Sequence, residues 1–262
     1  MEEDQLNNKN KQLSDSIRWS PWMGLLYVVL IYILSQVIGL VILIYPIFIK
    51  HFSSKQTSNW LTNSTYGQFL YILIAEAFTV FAVLWLLKRY KVKKDVIGLR
   101  KIKLKDPLYG FLGLVIYYPI YLVAISLITA LIKGFNVNQK QDIGFNGVHG
   151  VAPLIVTFIS LVILPPIAEE IVFRGFLYGS MKKWMPKIFA AVVTSVIFAS
   201  AHLIEGVGGP LWVGAIDTFV LSMVLVFLRE KTDGLYASMT LHGLKNFVAF
   251  FIIYLSPLII IH

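Results

Sequence analysis

The sequence contains no cysteine. Disulfides, thiolate nucleophiles and cysteine-ligated zinc or iron–sulfur centres are therefore excluded. Charge is scarce too: 14% of the 262 residues are charged, against about 25% in an ordinary soluble domain. That leaves too little polar surface to coat a water-soluble globule of this size. Acidic residues are the scarcer sign, 14 against 23 Lys and Arg, for a net charge of +9. Such a balance can point to nucleic acid. Here the basic residues fall between apolar runs, as loops against an anionic leaflet do, so no nucleic-acid partner is expected. A cleavable signal peptide is not expected either. The run from Trp22 to Ile49 is too long for a signal core and no small-residue cleavage site stands out. No internal repeat is apparent, and low complexity is confined to a polar tail over residues 1–18.

What is abundant is apolar sequence, 57% of the chain. A membrane-spanning helix needs about 20 mostly apolar residues. Seven runs qualify: Trp22 to Ile49, Gly67 to Leu87, Pro107 to Ile132, Val151 to about Phe176, Ile188 to Ile204, Leu211 to Leu228, and Leu235 to Ile261. The last is long and contains Pro257, which bends or breaks a helix, so an eighth short segment is the alternative. The expected fold is an all-α polytopic transmembrane helix bundle. Its parts are a polar tail (1–18), N-terminal spans (19–149) and a second block of spans (150–262) that holds the chemistry.

Lys and Arg set the expected orientation. They crowd the tail (Lys9, Lys11, Arg18), the second-to-third connection from Lys88 to Lys105, the fourth-to-fifth (Lys182, Lys183, Lys187) and the sixth-to-seventh (Arg229, Lys231). The opposite face has only Lys50, Lys55, Lys133 and Lys140. The N-terminus is therefore predicted cytoplasmic.

Ionisable groups inside a membrane are costly and point to function. The strongest group is Glu169-Glu170 with Arg174, late in the fourth run. Glu170 and Arg174 are four apart and share a helical face, so they can pair. Glu169 is turned about 100° away. It is left to face a cavity, where an unpaired carboxylate suits general-base work. The alternative is a boundary cluster snorkelling to the interface. On the fifth run, Phe198 and His202 share a face, beside a small-residue stripe of Ala191, Ser195 and Ala199 that permits close packing. On the seventh, His242 and Asn246 are again four apart. Glu169 and His202 lie equally far, roughly 24 Å at 1.5 Å per residue, from a turn expected near Met185-Pro186. They can meet at one depth, and a tilted seventh helix brings His242 near. Pro165 and Pro166 free the carbonyls of Leu161 and Val162 from helical bonding beside them. Glu76, Asp217 and Lys245 are the other intramembrane charges, read as structural pairing, with an ion path as the alternative.

The stretches EEIVFR (Glu169 to Arg174), FASAH (Phe198 to His202) and HGLKN (His242 to Asn246) together resemble the CPBP family, the CAAX-protease and bacteriocin-processing membrane peptidases also called Abi proteins. The resemblance covers roughly residues 150–250, with all three motifs intact and in order; the first three spans carry none. It implies an endopeptidase cutting within or near the membrane. Glu169 would activate water with a histidine's help, and the other histidine and Asn246 would hold the oxyanion. His202, His242 and Asn246 thus surround Glu169, with Glu170, Arg174 and Phe198 in support. No His-Glu-x-x-His pair is present. A metal-free site is favoured because an amide suits an oxyanion and binds zinc poorly. The zinc alternative would use His202, His242 and Glu169. The partners implied are the lipid bilayer and a peptide or protein substrate, with a bacteriocin or pheromone precursor as the guess. Short loops and a Lys/Asn/Ile-rich composition suggest a bacterial cell membrane. The competing readings are a non-catalytic immunity or binding protein and a small transporter, the latter lacking an inverted repeat. Rhomboid-type Gly-x-Ser-x-Gly and presenilin-type Gly-x-Gly-Asp signatures are both missing; the run before Asp217 is Gly214-Ala215-Ile216.

Overall fold

The computed structural model describes residue 17 and residues 19–257. Most of the polar tail, the end of the seventh run and the question of an eighth segment lie outside them. Among the described residues, seven helices are long and apolar enough to cross a membrane: Pro21–Ile49, Thr65–Arg89, Lys105–Leu131, Val151–Met181, Lys187–Glu205, Trp212–Thr232 and Tyr236–Leu255. These are called spans 1 to 7. The protein is an integral membrane protein with an all-α, polytopic bundle, as its apolar runs require. Each span lies within a few residues of its apolar run in the sequence. The boundaries follow local chemistry. Ser20 caps span 1 by accepting from the Met23 N–H, with Pro21 at the first helical position. Ser64 caps span 2 through the Gly67 N–H. A short helix, Ser54–Asn63, joins spans 1 and 2 and opens on a Ser53–Gln56 capping box.

Span 7 packs along span 3, span 6 against spans 3, 5 and 7, and span 1 against span 2. Large apolar side chains cover the outside, including Leu26, Ile33, Phe81, Val115 and Phe189. That is the arrangement a lipid solvent demands. Small residues bring helices together. A Cβ on Gly110 of span 3 would sit 2.5 Å from Thr240 Cβ and 2.8 Å from the Ala237 carbonyl oxygen. Gly110→Leu is therefore expected to force spans 3 and 7 apart, at about 1–3 kcal/mol for overpacking. A lowered melting temperature in detergent checks this, and unchanged melting would mean that the helices do not touch there.

Span 4 is irregular where the chemistry lies. Two π-helical stretches, Ile159–Ile163 and Glu170–Leu177, flank a short α-helical piece, Leu164–Glu169, that contains Pro165 and Pro166. Extra residues of this kind in a helix often mark functional sites, and two prolines without N–H groups make the regular ladder impossible here. The end of the bundle nearest the basic loops is tightly filled: Phe176, Leu177, Ile97 and Leu235 are each fully buried. Trp19 stacks on Phe176 with centroids 4.8 Å apart and donates to Ser180 Oγ at 2.6 Å.

Candidate active site

The pair foreseen inside span 4 is formed. Arg174 Nη1 donates to Glu170 Oε1 at 2.9 Å, with both side chains almost completely buried. The guanidinium carbon lies 4.1 Å from the centre of the Phe198 ring on span 5. That ring also meets Phe173, His202 and His242, at centroid distances of 4.7, 4.8 and 6.1 Å. Phe198 is thus an aromatic wall that covers the cation and meets both imidazoles edge-on.

Glu170 has a second contact that its spacing did not announce. Its Oε1 lies 3.0 Å from His242 Nδ1 of span 7. A carboxylate paired with arginine can only accept, so Nδ1 carries the hydrogen. Nε2 is then on the side of Glu169, whose Oε2 lies 3.6 Å away. Such carboxylate-to-imidazole bonds fix tautomer and ring plane together. Glu169, the helical neighbour of Glu170, points elsewhere. Its side chain keeps 26% of its exposure and lines a cavity.

That cavity has a volume of about 340 Å3, and Glu169, His202, His242, Lys245 and Asn246 all line it. The candidate residues from spans 4, 5 and 7 therefore share one space. His202 Nδ1 is bonded to the Phe198 carbonyl oxygen at 2.9 Å. A carbonyl also only accepts, so Nδ1 carries the hydrogen there too. Asn246 Nδ2 donates to the Leu161 carbonyl at 2.9 Å, one of the two acceptors that the prolines released. A Cβ on Gly243 would come within 3.3 Å of the other, the Val162 carbonyl oxygen, so the glycine lets span 7 lie close on the irregular turn. One Asn246 N–H is used in this way. An amide has two, and the second remains.

Of the remaining intramembrane charges, Asp217 and Lys245 pair at 2.9 Å, with Tyr117 O–H donating to Asp217. Spans 3, 6 and 7 are tied together there, as a structural reading of those charges expects. Glu76 behaves differently. Among the described residues it forms no hydrogen bond or ion pair. It lines the cavity beside Glu169, and also a second, more apolar cavity of about 240 Å3 among spans 1, 2, 4 and 5 that Glu169 and His202 reach as well. A lone carboxylate in an apolar run was the only sign of it in the sequence. The loop residues Gln141, Asp142 and Ile143 complete the first cavity, and nothing in their composition marked them.

Zinc would need three or four converging ligands. Among the described residues no group of three His, Asp or Glu side chains converges in that way. Glu169, His202 and His242 share a cavity, but as placed they do not fit a zinc ion.

Residues 151–248 match the family model described as Type II CAAX prenyl endopeptidase Rce1-like. The match begins where span 4 begins and contains all three motifs, so the resemblance read from them holds over this segment. At family level it describes a membrane endopeptidase of the CAAX type. Among curated proteins, UPF0177 protein YxdF of Lactococcus lactis subsp. lactis (strain IL1403) is 25% identical over 126 residues, 48% of this chain and 64% of that relative. The matched stretch thus spans a little under two thirds of that protein. No solved structure gives a significant match.

Proposed function

We propose that this protein is an intramembrane endopeptidase in which Glu169 activates the attacking water without a metal. The observation that carries the reading is the array Arg174–Glu170–His242–Glu169. Buried charge holds one end of it, and the other end opens into a cavity shared with His202 and Asn246. A water between Glu169 and the histidines gives its proton to the carboxylate while its oxygen attacks the peptide carbonyl carbon. His242, with Nδ1 held by Glu170, assists at Nε2. The second N–H of Asn246 stabilises the oxyanion. When the C–N bond breaks, the proton held by Glu169 passes to the leaving amine.

The substrate class is a membrane-associated peptide or protein, with a small secreted-peptide precursor, a bacteriocin or pheromone, as the first to try. The setting is the bacterial cell membrane, with the N-terminus in the cytoplasm. In the test, purified protein in lipid is incubated with a library of membrane-associated precursor peptides and the products are read by mass spectrometry. Cleavage is expected in the presence of 1,10-phenanthroline as well as in its absence. Activity that is lost with the chelator and restored by zinc would overturn the metal-free chemistry and keep the peptidase. Specific binding of a peptide that is never cleaved would support an immunity or binding role instead.

Asn246→Ala is expected to lower kcat by about 10²–10³ with KM little changed, because an oxyanion donor acts mainly in the transition state. The variant also frees the Leu161 carbonyl, so its melting temperature is measured alongside. A change confined to KM would assign Asn246 to ground-state binding.

A further inference from the structure

The cavity at Glu169 is not symmetric about the bundle. On the side of the basic loops, the helices that frame it are sealed by Arg174, Phe176, Leu177 and Tyr178, none more than 1% exposed, with Ile97 and Leu235 packed at the same end. Glu169 lies twelve residues before the end of span 4 at Met181, roughly 18 Å at 1.5 Å per residue, and that distance is filled with side chains. The far side differs. The lining continues through Glu205, at the end of span 5, to Gln141, Asp142 and Ile143 in the loop between spans 3 and 4.

That loop is built to stay where it is. Asp142 N–H donates to the Glu205 carbonyl at 2.8 Å and Val207 N–H to the Lys140 carbonyl at 2.9 Å. Gln139 bonds Pro210 and Val213, and Phe145 N–H donates to Gln68 at 2.6 Å. Gln141 and Asp142 are themselves exposed. The mouth of the cavity therefore has a fixed rim on one face of the bundle. That face carries Lys50, Lys55, Lys133 and Lys140, while the dense basic loops lie on the other. Basic loops stay in the cytoplasm.

From this geometry we infer that water and substrate reach Glu169 from the extracytoplasmic face, over the Gln141–Ile143 rim. The segment to be cut is then presented after, or during, its passage across the membrane. That the entering molecule is a peptide to be cut rests on the peptidase reading; the route does not, and it is tested without turnover.

The chain has no cysteine, so each single-cysteine variant reports one position. Ile143→Cys at the rim and Ala249→Cys on the cavity wall are treated with a membrane-impermeant, positively charged methanethiosulfonate. Lys55→Cys and Lys103→Cys mark the two faces. Treatment is done on intact cells and on inverted vesicles. The expected result is that Ile143→Cys and Ala249→Cys react in intact cells together with Lys55→Cys, while Lys103→Cys reacts only in inverted vesicles. If Ala249→Cys destabilises the protein in detergent melting, Ile253→Cys on the same wall replaces it. Reaction of the wall position with Lys103→Cys, from both faces, or from neither overturns the inference. So does reaction of Lys103→Cys in intact cells, because the mouth would then be cytoplasmic. None of these outcomes bears on whether Glu169 cleaves peptides; loss of cleavage in Glu169→Gln is the separate test of that.

Discussion

Glu169→Gln is expected to lower kcat by about 10²–10⁴, the range that a positioned general base contributes, with little change in melting temperature. The substitution is nearly isosteric. It removes the proton acceptor and leaves the Glu170–Arg174 pair and the Glu170–His242 bond untouched. The side chain is also partly exposed to its cavity rather than packed in the core, so little folding free energy depends on its charge. The measurement pairs single-turnover cleavage of a precursor peptide with a melting curve on the same preparation. Wild-type turnover in the variant would show that another group activates water, and Glu76, on the same cavity, would be the first to test. A large drop in melting temperature would instead make Glu169 structural.

Glu170→Gln and Arg174→Gln are each expected to cost about 3–5 kcal/mol of stability, because removing one partner of a buried pair leaves an uncompensated charge. Both side chains are almost wholly excluded from solvent, and the guanidinium lies under Phe198. Activity falls with stability in both cases, since His242 takes its ring plane from Glu170. The double variant Glu170→Leu/Arg174→Leu separates the two roles. With both charges removed, much of the stability returns. His242 is then without its acceptor, and turnover stays low. Thermal melting and turnover on all three proteins check this. Full activity in a stable double variant would mean that Glu170 does not orient the histidine.

The sequence by itself determined whatever depends on near neighbours along one helix. Among the described residues the seven apolar runs became seven spans, because a lipid core admits a helix of that length and little else. The Glu170–Arg174 pair and the turning away of Glu169 follow from 3.6 residues per turn. The contacts of Phe198 with His202 have the same origin. Even the acceptor for Asn246 was partly legible, because Pro165 must release the Leu161 carbonyl wherever the chain folds. Only the tertiary structure decided what depends on how helices cross. Four-residue spacing on span 7 does not say which nitrogen of His242 faces which glutamate. The packing of spans 4 and 7 put Nδ1 on Glu170 and Nε2 toward Glu169. Glu76, a lone charge far from every motif, reached the cavity because span 2 packs against span 4. The rim at Gln141–Ile143 came from loop contacts to Glu205, more than 60 residues on, between segments with no shared pattern. Local periodicity is written in one helix at a time. Which face of the bundle stays open is a property of all of them together, set by where large side chains fill one end and a loop frames the other.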